Sequence, residues 1–362
     1  MTLAGRLIAW LGTHWQEAAY GEASRLAWLR PLEALYRRGM SRRAHAYACG
    51  DKPVWRAPVP VIVVGNITLG GTGKSPLVAW LAEWLAAGGW HPGILSRGYG
   101  GKLPKGHAYP LWVTAETPVS ESGDEPRMLA EQTGVPVMVD PDRSRAARRL
   151  VDAGCDILIS DDGLQHLALA RDLELVVVDG KRGFGNGHCL PAGPLREPLE
   201  RLRSVDAVLV NGEPAFVPPV GVHGMRLSPS GWRRLGGERE PLAPLPFQTP
   251  VHAVAGIGNP SRFFATLAGL GIEAIPHAFA DHHDFGVEDL AFGDGHALVM
   301  TAKDAVKCRG LAPFDSWALD VVAEPDDAFV AWLEQRVAAW GSPSCRSPSF
   351  ESPSFESRSR GT

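Results

Sequence analysis

Val61-Ile-Val-Val-Gly-Asn-Ile-Thr-Leu-Gly-Gly-Thr-Gly-Lys-Ser-Pro76 is the stretch that decides the fold of this 362-residue chain. Val61–Val64 is apolar and β-branched, the composition of a strand buried on both faces. Glycines at 65, 70, 71 and 73 follow, and Lys74-Ser75 opens a run in which Leu77, Leu81, Trp84 and Leu85 fall at helical spacing before Gly88-Gly89 stops it. A strand handed through glycines to a helix lets backbone N–H groups close around a phosphate, with the positive end of the helix behind them. In that pattern Gly70, Gly71, Thr72 and Gly73 wrap the phosphates, Lys74 reaches the β- and γ-phosphates, and the Ser75 hydroxyl ligates Mg²⁺. ATP and Mg²⁺ are therefore the expected cofactors. The generic GxxxxGK[ST] pattern asks for glycine where this chain has Thr68, and the tight Gly70–Ser75 core compensates. Gly183-Phe-Gly-Asn-Gly187 and Gly256-Ile-Gly258 do not complete a dinucleotide fingerprint.

Outward from the loop, β-rich runs alternate with helical ones. Strands are expected at 59–64, 93–96, 135–139, 157–160, 173–178 and 207–210, and helices at 75–87, 126–132 and 143–153. Alternation of this kind predicts an α/β fold, a P-loop-type and mainly parallel sheet with helices on both faces, over 58–212. Residues 213–250 are rich in Pro and Gly and are expected to be a linker. A smaller C-terminal αβ domain is expected over 251–340, with strands at 251–255 and 296–301 around a helix near 261–270. Residues 341–362 repeat Ser-Pro-Ser-Phe-Glu and are expected to be a disordered low-complexity tail. Residues 1–57 form a basic amphipathic helical arm: Leu3, Leu7, Leu11 and Trp15 recur at helical steps, as do Leu29, Leu32, Tyr36 and Met40. Such helices suit a membrane interface and suit packing on their own domain equally well.

Hydrophobic residues at 45% and charged residues at 21% describe a globular chain and exclude wholesale disorder. A net charge of -4 gives no nucleic-acid footprint. Within residues 1–60, however, nine basic residues stand against four acidic ones. Five scattered cysteines without CxxC argue against a disulfide framework and a structural zinc site. No apolar run is long enough to predict a spanning helix, and Arg6, His14 and Glu17 interrupt any secretory pattern.

A phosphate loop needs a second anchor for Mg²⁺, and Asp161-Asp162 closes the apolar run Ile157–Ser160. Both are candidate metal or metal-water ligands. Asp124, just ahead of a helix, has N-capping as its plain role. Asp281-His-His-Asp284 could be a metal cluster, a solvated loop or a catalytic pair, and adjacent histidines point apart, which disfavours joint chelation. Arg143, opening a helix, is either surface charge or an anion clamp.

The motifs occur in a recognisable order: Gly65-Asn66 with Gly70–Pro76, Ser96-Arg-Gly-Tyr-Gly100, Gly123-Asp-Glu-Pro126, Asp161-Asp-Gly-Leu-Gln-His166, Asn186–Glu197, Asp281-His282 and Thr301-Ala-Lys-Asp-Ala-Val-Lys307. Over roughly residues 25 to 335 this string resembles the tetraacyldisaccharide 4'-kinase family of lipid A biosynthesis. The resemblance implies transfer of the ATP γ-phosphoryl to the 4'-hydroxyl of a tetraacyldisaccharide 1-phosphate. It also implies a peripheral enzyme on the cytoplasmic face of the bacterial inner membrane, with no protein partner. Carried over by position, Lys74 and Ser75 serve phosphate and Mg²⁺, Asp161 and Asp162 form a Walker-B-like pair, and Asp124 is the catalytic base assisted by His282. Arg143 is implied to contact a phosphate of donor or lipid, and Gln165 and His166 to line the site. Departures are small: Ser75 where Thr is common, and Ala302 where Glu is common, beside Lys303 and Asp304. Two rivals lack this support. A partitioning-type P-loop ATPase would carry its signature lysine at position 69, where the chain has Leu69, and a cytosolic small-molecule kinase would leave the basic arm merely packed.

Overall fold

The computed structural model describes residues 15, 17–21, 26–216, 222–313 and 315–341. The first expected arm helix, apart from Trp15, and the tail beyond residue 341 lie outside the described residues. The second arm helix is α1, Arg30–Ala48. It packs on the body through Leu29, Glu33 and Tyr36, while Trp28, Leu32 and Leu35 are 74%, 50% and 61% exposed.

β1 (Val61–Gly65) runs into the glycine loop and α2 (Lys74–Ala87). Then follow β2 (Pro92–Ser96), β3 (Leu111–Val113), α3 (Val119–Ser122), α4 (Asp124–Thr133), β4 (Val137–Val139), α5 (Arg143–Asp152), β5 (Ile157–Asp161), β6 (Leu173–Asp179) and β7 (Ala207–Asn211). Every residue of β1 is buried, as its composition requires, and its side chains alternate between two cores. Ile62 and Val64 pack with Leu77, Leu81 and Leu85 of α2 and Leu129 of α4. Val61 and Val63 pack with Ala146, Ala147 and Leu150 of α5 on the opposite face. Each fully buried Leu contributes about 1.5–3 kcal/mol, so the loop is carried on a rigid strand–helix unit.

The remaining elements are β8 (His223–Arg234), β9 (Arg239–Glu240), β10 (Val251–Ala255), α6 (Pro260–Gly269), β11 (Ala274–Ala278), β12 (Leu298–Thr301), α7 (Ala302–Cys308), β13 (Ser316–Pro325) and α8 (Asp327–Ala338). One sheet of 13 strands runs in the order β11-β10-β12-β13-β8-β7-β6-β1-β5-β2-β4-β3, with β9 on β8. This corrects the expectation of a linker at 213–250, because β8 lies in that segment. It pairs in parallel with β7 and, over most of its length, antiparallel with β13, so the two expected αβ blocks share one hydrogen-bonded sheet. Helix α8 also crosses the expected boundary, since Phe329, Leu333 and Val337 join the core beneath α2.

The expected phosphate loop lies where parallel strands end. β1 has β6 on one side and β5 on the other, and Val64 pairs with Asp161. The last residue of β5 is thereby level with the first turn of the glycine loop, at the carboxyl ends of the strands where α/β sheets bind ligands.

Candidate active site

Four successive carbonyls of the glycine loop are held from behind. The Tyr20 hydroxyl donates to Leu69 O, Asn66 Nδ2 to Gly70 O at 3.3 Å, Arg182 Nη2 to Gly71 O at 2.6 Å, and Asn211 Nδ2 to Thr72 O at 2.9 Å. Across a trans peptide the N–H of the next residue points the opposite way. The amides of Gly70, Gly71, Thr72 and Gly73 therefore point away from those four donors, which leaves them available to an anion. Gly73 caps α2 with φ 101°, and a Cβ there would stand 2.5 Å from Asn211 Nδ2. Gly258, empty of meaning as part of a dinucleotide signal, lies against this loop. A Cβ on Gly258 would stand 2.8 Å from the Gly71 amide nitrogen, and Arg182 Nη1 donates to Gly258 O at 3.3 Å.

The two aspartates after β5 have different surroundings. Neither buried carboxylate oxygen of Asp161 has a hydrogen-bond partner among the described residues. Burial, reinforced by Glu125 and Asp162 against the pull of Lys74 and Arg143, pushes Asp161 up to about 7. Burial acts on Asp162 too, but Lys74 and Arg196 outweigh it and hold that carboxyl at about 2. Arg196 Nη1 is 2.8 and 3.0 Å from its oxygens and Lys74 Nζ is 3.7 Å away. An unpartnered carboxylate level with the start of the glycine loop, together with the Ser75 hydroxyl in the first turn of α2, offers oxygen-only donors that fit a hard cation such as Mg²⁺. Asp161 is the available ligand, whereas Asp162 is occupied by cations of the chain itself.

Arg143 is 4% exposed and its Nη1 and Nη2 donate to the carbonyls of Asp162 and Asp161 at 3.2 and 2.7 Å. That corrects the reading of it as surface charge: the guanidinium lies under the Asp161-Asp162 turn, its buried Nε has no partner among the described residues, and desolvation lowers it to about 10. Gln165 Nε2 bonds Asn66 O at 3.3 Å and Glu197 Oε1 at 2.5 Å, which fastens the Asp162 turn to the start of the glycine loop. Burial drives His166 down to about 4, with Arg143 and Arg171 adding to the shift, so this imidazole is neutral.

Across the cleft, Asp124 is the first residue of α4, and the N-cap is Gly123. Its Oδ1 accepts from the Glu125 amide at 3.0 Å, and its Oδ2 is 3.0 Å from His282 Nδ1. Burial alone would raise Asp124, but the His282 hydrogen bond and Lys303 outweigh it and hold the carboxyl below its usual value. The same hydrogen bond raises His282. His283 turns away to Asp289 at 2.9 Å, so the adjacent histidines do diverge. Among the described residues, Asp162 at φ 48° and His282 at φ 59° are the non-glycine residues in the left-handed region. Both stand in this cleft, where such backbone strain of about 1–3 kcal/mol is commonly invested.

The model of the tetraacyldisaccharide-1-P 4'-kinase family matches residues 25–338. The chain belongs to the tetraacyldisaccharide 4'-kinase family. Relatives carrying the name tetraacyldisaccharide 4'-kinase agree: one from Azotobacter vinelandii is 52% identical over 340 residues, covering 93% of this chain and 98% of the relative. One from Pseudomonas aeruginosa is 51% identical over 339 residues with the same coverage. The crystal structure of LpxK from Aquifex aeolicus in complex with ATP superposes with a TM-score of 0.73 at 28% identity, covering 87% of this chain and 99% of that one. The resemblance read from the motifs is borne out, and with it the kinase class and the P-loop-type sheet. The partitioning-ATPase and soluble small-molecule kinase readings are set aside.

Several side chains of this kinase site were not assigned from sequence: Arg196, Arg182, Asn211, Glu125 and Lys303. Arg196 and Lys303 lie inside motif strings already quoted, but a lone basic residue has no spacing that marks its role. Asn211 ends an apolar strand level with Asp179, a position where polar residues commonly face a ligand.

Proposed function

We propose that this kinase transfers the γ-phosphoryl group of ATP to the 4'-hydroxyl of a tetraacyldisaccharide 1-phosphate. The observation that carries the reading is the Asp124–His282 pair, 3.0 Å apart, next to both parts of the donor side: Glu125 beside Asp124 acts on Asp161 at the end of β5, and Asp281 beside His282 meets the glycine loop at Gly258. Loop amides and Lys74 bind the ATP phosphates and bring the γ-phosphorus into line with the acceptor. Asp124, held ionised, accepts the hydroxyl proton as the new O–P bond forms and the bond to ADP breaks. His282 orients Asp124 and shares the proton. Ser75 and Asp161 would hold Mg²⁺, which supplies charge neutralisation at the phosphates. Arg196 keeps Asp162 paired, and Arg143 and Gln165 fix the turn that carries both aspartates.

The enzyme is read as peripheral to the cytoplasmic face of the inner membrane. Support comes from the acylated substrate class, from the exposed Trp28, Leu32 and Leu35 of the basic arm, and from charge flanking them at Arg30, Arg37, Arg38 and Arg42. Among the described residues no helix is long and apolar enough to cross a membrane.

The decisive test incubates purified protein with Mg-ATP and tetraacyldisaccharide 1-phosphate and weighs the lipid by mass spectrometry. A gain of one phosphate is required, and an unchanged lipid mass would overturn the reading. Recovery in the membrane pellet that persists in low salt and falls in high salt tests the peripheral placement.

A further inference from the structure

Lys303 is carried by α7, in the C-terminal half of the chain, and reaches across the cleft to the start of α4. Its Nζ is 3.2 Å from Glu125 Oε1, 3.2 Å from Asp281 Oδ1, 3.8 Å from Asp124 Oδ2 and 3.5 Å from His282 Nε2. The side chain is 15% exposed. One largely buried ammonium thus faces three carboxylates and an imidazole.

The other groups around the pair have different engagements. Lys307, one turn further along α7, binds Asp304 at 2.9 Å and the His283 carbonyl at 3.2 Å. The Tyr99 ring covers His282 with centroids 5.1 Å apart and brings no charge at neutral pH. Asp281 Oδ1 is also 3.9 Å from His282 Nε2, on the side where Lys303 stands. Lys307 adds a weaker pull on Asp124 in the same direction, and Lys303 is the cation in direct contact with Glu125, Asp281 and the pair.

We propose that Lys303 is a positioning residue that keeps a surplus proton off the Asp124–His282 pair, leaving Asp124 ready to accept the hydroxyl proton at neutral pH. The inference rests on the reading of Asp124 as the base. Its physical content is a competition. Three carboxylates crowded round one imidazole would hold an additional proton among them, and an ammonium within about 4–6 Å of each opposes that uptake. Burial alone would lower Lys303, yet Glu125, Asp124 and Asp281 hold it above the ordinary lysine value, so it stays charged over the working range. Its charge acts in the same direction on both members of the pair, against protonation.

The test uses the full chain with Lys303→Met, Lys303→Arg and Asp281→Asn. In the kcat/KM profile against pH for lipid phosphorylation, Lys303→Met moves the acid limb upward by about one pH unit or more. Lys303→Arg returns it, and Asp281→Asn moves it downward. A raised KM for ATP or lipid with the acid limb in place would make Lys303 a substrate contact and overturn the proposal. A second readout needs no turnover: in a ¹⁵N-histidine NMR titration of the substrate-free protein, the His282 transition rises in Lys303→Met and falls in Asp281→Asn. Unmoved His282 transitions sink the idea. Because this titration does not depend on the lipid reaction, failure of Lys303's role and failure of the phosphoryl-transfer reading are separately visible. If Lys303→Met does not fold, the same titration of Lys303→Gln decides: a His282 transition that stays in place overturns the proposal.

Discussion

The two sides of the cleft are built differently. The donor side takes Lys74 from the first turn of α2, Asp161 and Asp162 from the end of β5 and Arg196 from the β6–β7 connection, with β1 and β5 brought level by their register. The acceptor side takes Asp124 from the start of a helix and pairs it with His282, 158 residues further along, backed by Lys303. The first is a local backbone device that any ligand would find largely formed. The second exists only while the two halves of the sheet are held together. Binding ATP and activating an acceptor should therefore fail separately.

The largest test of that separation is Asp124→Asn. It should lower kcat by about 10²–10⁴-fold while ATP affinity, followed by fluorescent nucleotide titration, stays within about twofold. Joint loss of both would break the comparison. Lys74→Ala attacks the other side: kcat should fall by about 10²–10³-fold together with ATP affinity, and the His282 NMR transition should stay in place.

A smaller effect is expected from pH. The His166 transition lies at about 4 in the fold, below the ordinary 6.5. A depressed histidine contributes stability that is present above its unfolded value and is lost as pH falls through the folded one. The window is thus from about 6.5 down to about 4, and the contribution, discounted for partial exposure, is about 2 kcal/mol or less. Urea midpoints at both ends of that window should converge in His166→Gln. The smallest is Tyr36→Phe. The Tyr36 hydroxyl on α1 donates to the Arg196 carbonyl at 2.9 Å, and its loss should cost about 1 kcal/mol. A measurable drop in ATP affinity in this variant would show that the arm braces the donor side.

Legibility in the sequence followed the same division. β1, the glycine loop and α2 were readable because strand, turn and helix signals are contiguous, and Asp161-Asp162 because an apolar run points at it. Asp124 was not readable from its own surroundings, where capping was the plain role. Its proposed role and its partner His282 both came from the ordered motif string, and the fold adds the 3.0 Å contact between them. β8 was missed because His223–Arg234 is polar, contains Pro229, Gly224 and Gly231, and is buried at only a few positions. It is a strand because β7 and β13 flank it, which is tertiary information. Arg143 was misplaced because a basic residue opening a helix looks like surface, and only the sheet shows that its donors end on the Asp161 and Asp162 carbonyls.

The same strand β8 limits how the cleft can work. Hydrogen bonds tie it to β7 and to β13, so among the described residues the two halves share a continuous ladder there. Any opening has to be taken up as a change of twist, concentrated where the register shifts between Asp320 and Val321. The sheet is in that sense a torsion bar, and amide exchange at that bulge during turnover tests whether it twists there.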